Sequence, residues 1–153
     1  MPTTTLSRDV SASAAVVWSI LTDVHELPSL SPSTLSVRAP GRLERVGDEF
    51  EQTVKLVGRR FTSNWQVTQF DRERLIAVTG SILPGVRYSL VEEVTPRGRS
   101  ESTLAMTVDY SLPFGPLGRL AGRLGAERAA LEEAKQVLDA IAELATQRQR
   151  ATP

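Results

Sequence analysis

Two kinds of periodicity divide this sequence and limit the folds open to it. Between Gly47 and Leu112, short segments alternate apolar and polar residues and are separated by tight turns, as half-buried strands do. From about Pro116 to Arg148, apolar residues recur at helical spacing, which predicts one long helix. Segments this short and evenly spaced favour antiparallel neighbours. The sequence therefore predicts a curved antiparallel sheet that grips a helix and leaves a hollow between them.

The residues before this run predict a strand, a short helix and a loop. Thr3 to Val10 has the composition of a first strand, and Ser11 or Ser13 can cap the helix that carries Val17-Trp18. We expect that helix to end near Asp23, because prolines follow it closely.

Composition limits the chain to one ordinary globular domain. Its 153 residues favour a single domain, which we place at 1–146, followed by a polar tail at 147–153. The 18 basic and 18 acidic side chains cancel, so nothing indicates a nucleic-acid partner. No segment reaches the roughly 20 apolar residues that span a bilayer, and the first residues lack a signal-peptide pattern. We expect a cytoplasmic protein without membrane insertion.

Motifs for metal ions and cofactors are missing from the sequence. With one histidine and no cysteine, only carboxylates remain as ligands, and they lack EF-hand spacing. Neither a phosphate loop nor a dinucleotide fingerprint is present. We expect no metal and no cofactor.

Several short phrases follow one another along the chain, namely Ser11-Ala12-Ser13, Val17-Trp18, Leu21-Thr22-Asp23, Leu27-Pro28, Trp65-Gln66-Val67 and Phe70-Asp71. Together with the order of elements, these phrases resemble the START-like (SRPBCC) superfamily, which has the helix-grip fold. That superfamily includes polyketide cyclases/dehydratases, birch-pollen-allergen-like proteins and lipid-transfer domains. The resemblance covers nearly the whole chain and implies an α+β fold with about seven strands, two short helices after strand 1 and a long C-terminal helix.

The resemblance also implies a pocket between the concave sheet face and the first half of the long helix. Such pockets are mostly apolar, with a few polar groups that fix orientation. The alternation then predicts which side chains point inward, although a shift of one residue would reverse a strand. The expected ligand-binding residues are Phe50, Gln52, Val54, Phe61, Ser63, Trp65, Val67, Gln69, Tyr88, Leu90, Met106, Val108, Tyr110, Leu120, Leu124 and Arg128.

Several of these residues have two interpretations. Gln52 and Ser63 either hydrogen-bond a neighbouring strand or buried water, or face a ligand. Trp65 and the two tyrosines either stack on a flat ligand or pack in the core. Gln69 aligns with a position where some aromatic polyketide cyclases carry an Arg, so an ionic hold on an enolate is missing here. Arg128 interrupts the apolar stripe of the helix, as a solvated edge residue or a ligand contact.

Three functions remain open. The first is binding of a small hydrophobic molecule, such as a polyketide, lipid or secondary metabolite, by a monomer or homodimer. The second is a cofactor-independent cyclase or dehydratase that orients a flexible substrate. The third is a module that binds a protein partner. In an enzyme, the candidates for proton transfer are Tyr88, Tyr110, Glu92 and His25.

Overall fold

One antiparallel sheet and one long helix account for most of the chain in the computed structural model. The structure describes residues 3–56, 58–83, 86–111 and 116–151, with the side chains of all of these except 56, 82–83, 86, 110–111 and 116–130. A 3-10 turn at Val24–Glu26 lies between the two short helices. The other elements are β1 (Thr3–Val10), α1 (Ala14–Leu21), α2 (Leu27–Leu30), β2 (Thr34–Arg38), β3 (Glu49–Leu56), β4 (Arg59–Asp71), β5 (Leu75–Leu83), β6 (Val86–Pro96), β7 (Ser102–Ser111) and α3 (Pro116–Ala151).

The seven strands form a meander that β1 closes on one side. Their spatial order is β1-β7-β6-β5-β4-β3-β2, and every neighbouring pair is antiparallel. The predicted helix-grip architecture is confirmed, with seven strands, two short α-helices after β1 and the long C-terminal helix. That helix extends three residues beyond Arg148, to Ala151.

The short helix α1 forms because a serine caps it and its apolar residues share one face. Ser13 has an extended backbone, and its Oγ accepts a hydrogen bond from the Val16 backbone N–H at 3.2 Å. The helix buries Val17, Ile20 and Leu21. Trp18 meets Phe70 of β4 edge to face, with ring centroids 5.4 Å apart. The contact joins α1 to the sheet.

The strict alternation predicted for β4 stops at a β-bulge. The pairing of β4 with β5 shifts between Val67 and Gln69, because a bulge puts one extra residue into one strand. Val67 is buried and Gln69 is exposed, and the next side chain to join the core is Phe70. The prediction that Gln69 points inward is therefore wrong.

The second half of α3 packs on the sheet edge and the short helices. Small and branched apolar residues share its buried face, namely Ala134, Leu138, Ile141, Ala142 and Ala145. Two ion pairs also hold this half of the helix. Asp139 pairs with Arg8 of β1, and Arg148 pairs with Glu26 at 2.6 Å.

Gly80 creates the space that the Trp65 indole occupies on the concave face. The two residues are directly opposite in β4 and β5, and the indole stacks on Phe50 of β3 with an interplanar angle of 9°. A Cβ on Gly80 would lie 2.5 Å from Trp65 Cδ2 and 2.7 Å from the Asn64 carbonyl oxygen. Glycine within a strand often marks such a close approach.

We predict that Gly80→Ala destabilises the fold, because the added methyl group would displace the indole or the β4 backbone. The expected loss is about 1–3 kcal/mol in the free energy of unfolding. Urea denaturation followed by tryptophan fluorescence measures it. Gly41→Ala is the matched control, since a Cβ there meets nothing within 4 Å. Equal stability of the two variants would contradict the prediction.

Candidate functional site

The concave faces of β5, β6 and β7 form an apolar surface that includes one carboxyl group. Cross-strand pairing places Ile76 opposite Glu92, and Glu92 opposite Met106. The next row toward the start of β6 pairs Val78 with Leu90 and Leu90 with Val108. Because side chains alternate along a strand, these residues share the face that looks toward α3.

Glu92 lies in this surface without a polar partner among the described residues. Its cross-strand neighbours Ile76 and Met106 are 2% exposed, and Val94, which follows on the same face of β6, is 3% exposed. Burial among these groups raises the pKa of Glu92 to about 7, from an ordinary value of 4.5. The residue nevertheless keeps part of its surface accessible. Glu92 can thus give or take a proton near neutral pH.

Tyr88 occupies the same face of β6, one row beyond Leu90. It pairs with Gly80 on one side and with Tyr110 on the other. Its side chain is partly exposed, and burial raises the pKa of the phenol above its ordinary value. Tyr88 is therefore a neutral phenol around pH 7, able to donate or accept a hydrogen bond.

A chain of hydrogen-bonded polar side chains at the β2 edge of the sheet reaches α3. Gln52 Nε2 donates to Thr34 Oγ1 at 2.6 Å, and Thr34 Oγ1 donates to Ser31 Oγ at 2.8 Å. Ser31 Oγ and Ser33 Oγ in turn both donate to Glu133 Oε1. The side chain of Gln52 thus links β3 through β2 to the helix.

The side chains of Ser63 and Trp65 hydrogen-bond to each other within the sheet. Trp65 Nε1 donates to Ser63 Oγ at 2.9 Å, and Ser63 Oγ donates to the Gln52 carbonyl oxygen at 3.2 Å. Ser63 is 0% exposed. Gln52 and Ser63 therefore both hydrogen-bond to a neighbouring strand, one of the two alternatives that the sequence left open.

His25, the only histidine, faces a different part of the surface. It lies in the 3-10 turn, is half exposed, and has Nδ1 3.4 Å from Asp23 Oδ1. With β2 and the residues after it, His25 lines an open depression of about 510 Å³, whose other lining residues are Val37, Arg38, Ala39 and Pro40. The structure does not place His25 beside Glu92 on the concave face.

Four predicted residues have side chains outside the described part of the chain: Tyr110, Leu120, Leu124 and Arg128. The other predicted ligand-binding residues differ in how far their side chains are exposed. The structure buries Phe50, Val54, Ser63, Trp65, Val67 and Met106. It leaves Gln52, Phe61, Tyr88, Leu90 and Val108 partly exposed.

Sequence reasoning missed several residues that shape this surface. Because of the bulge, the side chain that packs against the core is Phe70 and not Gln69, and alternation alone does not reveal a bulge. Gly80 gave a usable signal, since an isolated glycine in a strand pattern suggests a close approach. Thr34 and Glu133 carried no such signal, because only folding brings them to Gln52 and Ser31.

The described residues contain neither a cluster of metal ligands nor a membrane-spanning helix. Within these segments, no group of three or more His, Asp or Glu side chains is arranged to hold a metal ion. No described helix is both long and apolar enough to cross a membrane.

Comparison with known proteins agrees with this architecture. Residues 1–146 match the family described as polyketide cyclase / dehydrase and lipid transport. The chain belongs to this family. One curated relative is the uncharacterized protein MT1597 of Mycobacterium tuberculosis, which is 29% identical over 130 residues, covering 80% of this chain and 87% of the relative.

Solved structures share the fold of this family member at low sequence identity. The Zhui aromatase/cyclase from Streptomyces sp. R1128 superimposes with a TM-score of 0.82 at 19% identity, covering 96% of this chain and 94% of that protein. A START superfamily protein from Mycobacterium smegmatis has a TM-score of 0.72 at 18% identity, with coverages of 93% and 97%. At this identity the similarity establishes the helix-grip fold alone.

We predict that Glu92 weakens the fold as pH rises. Between pH 4.5 and about 7 the folded protein keeps a proton that the unfolded chain has released, so stability falls across this interval and stays reduced above it. The Glu92→Gln variant has no titrating carboxyl group at this position, so it does not lose stability in this way. The stability of the variant relative to wild type should increase by about 2 kcal/mol between pH 5 and pH 8.

Urea unfolding of both proteins at the two pH values measures this change. Glu93→Gln is the matched control, because Glu93 is exposed on the other face of β6. A difference that stays constant with pH in Glu92→Gln would show that Glu92 titrates normally.

Proposed function

We propose that this protein binds a small hydrophobic molecule, of polyketide, lipid or secondary-metabolite type, between the concave sheet face and the first half of α3. The observation that carries the proposal is a change in exposure along that face. Leu104 is 0% exposed, Met106 2% and Val94 3%. Leu90 and Val108, further along the same two strands, keep accessible surface.

The path of α3 along the sheet bears on this change in side-chain exposure. Only residues 112–115 separate the end of β7 from the start of α3, so the helix begins near the strand end where Ser111 pairs with Arg87. It then runs back, and the buried face of its second half belongs to the same core cluster as Val94 and Leu104. Protein interiors are normally filled at close to crystal density. Apolar side chains that look toward a helix and stay accessible therefore support a space open to a ligand.

Family membership supports the class of ligand. The family description joins cyclases of polyketides with lipid transport, and one structural neighbour is an aromatase/cyclase. Leu90 and Val108 offer an apolar wall for such molecules, and Tyr88 adds an aromatic ring with a hydroxyl group.

We predict that Leu90→Trp lowers affinity for a neutral hydrophobic dye, Nile red, by about tenfold, because the larger side chain fills the proposed space. The matched control is Val91→Trp, since Val91 points to the opposite face of the same strand. Dye fluorescence titration gives both affinities, and native mass spectrometry identifies any co-purified molecule. Equal affinities, or no dye binding to the wild type, would contradict the proposal.

A second candidate function is catalysis at the same surface, as a cofactor-independent cyclase or dehydratase. Glu92 favours it, because general acid–base catalysis works best when the pKa lies near the working pH. The apolar wall would fold a flexible substrate into a reactive geometry, and Glu92 would move the proton.

The proton-transfer capacity of Glu92 can be tested without the natural substrate. In 5-nitrobenzisoxazole, a base removes the ring C–H proton while the N–O bond breaks, giving a coloured cyanophenolate. We predict a wild-type rate that rises with pH around an apparent pKa of about 7, and at least a tenfold loss in Glu92→Gln. Glu93→Gln should match the wild type. Equal rates in all three proteins would exclude Glu92 as a base.

A further inference from the structure

We propose that the protein docks on anionic phospholipid membranes through the end of the β3–β4 hairpin. Three basic side chains form this surface, which we call the basic tip: Lys55, Arg59 and Arg60. The contact is peripheral, at the level of the lipid headgroups, and it needs no membrane-spanning segment. The inference goes beyond the proposed function, because it assigns a second partner to residues outside the candidate pocket.

The first argument is the concentration of positive charge in a chain whose formal net charge is zero. Residues 52–70, which include both sides of the hairpin, contain three basic residues and no acidic residue. Lys55 and Arg60 are directly opposite each other in the two strands, and Arg59 is opposite Leu56. Like charges in directly opposite positions destabilise a sheet. An anionic partner would relieve this repulsion.

The second argument is that the basic tip is exposed and unpaired within the described part of the chain. All three side chains are exposed, and none of the described ion pairs includes them. Glu51, the nearest acid along β3, lies beside Arg38. Glu133 of α3 is near the hairpin through Ser33, whose carbonyl oxygen accepts from the Lys55 N–H, but its carboxylate accepts from serine hydroxyls.

The side chains outside the described part of the chain do not reverse this balance of charge. In the sequence they include one acid, Glu127, and three basic residues, Arg119, Arg123 and Arg128. All four belong to the first half of α3, which begins at the end of the sheet where the β3–β4 turn lies. Cations therefore outnumber acids at this end, whichever contact Glu127 makes.

The third argument is the geometry of the basic tip. Lys55 and Arg60 follow the alternation of the convex face, whereas Arg59 follows that of the concave face. Long basic side chains from both faces can reach a common plane beyond the end of the hairpin. A planar layer of phosphate groups fits this arrangement. A folded acidic protein would instead need a surface shaped to match the hairpin.

Apolar residues beside the basic tip also favour a lipid surface. Phe61 directly follows Arg60 and keeps accessible surface, and a leucine occupies position 56 opposite Arg59. Protein segments that lie on membranes combine basic residues with aromatic and aliphatic ones, because headgroups and acyl chains meet at the interface. Charge alone would suit a nucleic acid or an acidic protein, so the apolar neighbours decide in favour of the membrane.

The basic tip also lies at the accessible end of the concave face. Leu90 and Val108, which keep accessible surface, lie toward the end of the sheet where β6 begins and β7 ends. The pairing of the strands places the β3–β4 turn at that same end. Docking through the basic tip therefore turns the accessible apolar wall toward the membrane, into which hydrophobic molecules partition.

The proposal predicts binding that depends on lipid charge and on salt. Each basic residue near an anionic surface increases affinity by roughly fivefold, so three together give roughly a hundredfold. We expect the wild type to bind vesicles of phosphatidylcholine and phosphatidylglycerol in equal parts at least ~30-fold more tightly than vesicles of phosphatidylcholine alone, in about 20 mM salt. In about 500 mM salt this preference should largely disappear, because the charges are screened. Cosedimentation with sucrose-loaded vesicles measures it.

Two triple variants with the same change in net charge locate the surface. The variant Lys55→Gln/Arg59→Gln/Arg60→Gln should bind the anionic vesicles at least ~30-fold more weakly than the wild type. The matched control removes three exposed basic residues from turns at the opposite end of the sheet, and it should stay within about threefold of the wild type. This control is Arg72→Gln/Arg74→Gln/Arg99→Gln.

Each contrary outcome has a definite meaning. If the wild type shows no preference for anionic vesicles, or if the two triple variants lose equal affinity, the proposal is wrong. The first of these results does not depend on how any variant folds. Binding to polyglutamate in low salt without binding to anionic vesicles would overturn the proposal in favour of an acidic protein partner.

The proposed function is tested separately, because Nile red affinity is measured without vesicles. The basic-tip variant should keep the wild-type dye affinity, and Leu90→Trp should keep the wild-type vesicle affinity. Vesicle binding without dye binding would support the membrane surface and contradict the pocket. Dye binding without vesicle binding would contradict the membrane surface and leave the pocket in place.

Discussion

The docking of the second half of α3 onto β1, α1 and α2 is the contact on which the rest of the structure depends. Alanines at 134, 142 and 145 let the helix approach closely, and Leu138 and Ile141 fill the space between helix and sheet. Ion pairs from Asp139 and Arg148, with Glu133 on the serines, fix the helix at three points. These attachments all lie in the half of α3 whose side chains the structure describes.

The concave face of the sheet has two environments. Leu104 and Val94 lie in the closed core, whereas Leu90 and Val108 keep accessible surface on the same strands. Glu92 lies at the boundary between them, which explains why it is desolvated enough for a pKa of about 7 and still partly accessible. Its unfavourable burial resembles the local instability that proteins keep at functional sites.

Sequence reasoning succeeded where the local pattern and the tertiary contacts agree. The alternation of β3 and the first part of β4 correctly places Phe50 and Trp65 in the core, because the face of each strand that carries them is buried at these positions. It failed at Gln69, where the bulge moves one residue out of phase and brings Phe70 inward. The candidate site was predicted in part. Glu92 was found by its residue type and strand, but its apolar cross-strand neighbours were not visible in the sequence.

By itself, the sequence determined the fold class, since side-chain periods of two and 3.6 residues differ enough to separate seven strands from one long helix. It also determined which strand faces are apolar, because alternation depends only on the local backbone. Tertiary structure alone decided that His25 opens onto a depression with β2 and that Gln52 reaches Glu133 through Thr34 and Ser31. It also decided that Glu92 lies among apolar side chains of three strands. Burial and desolvation depend on neighbours distant in the chain, and only folding brings those neighbours together.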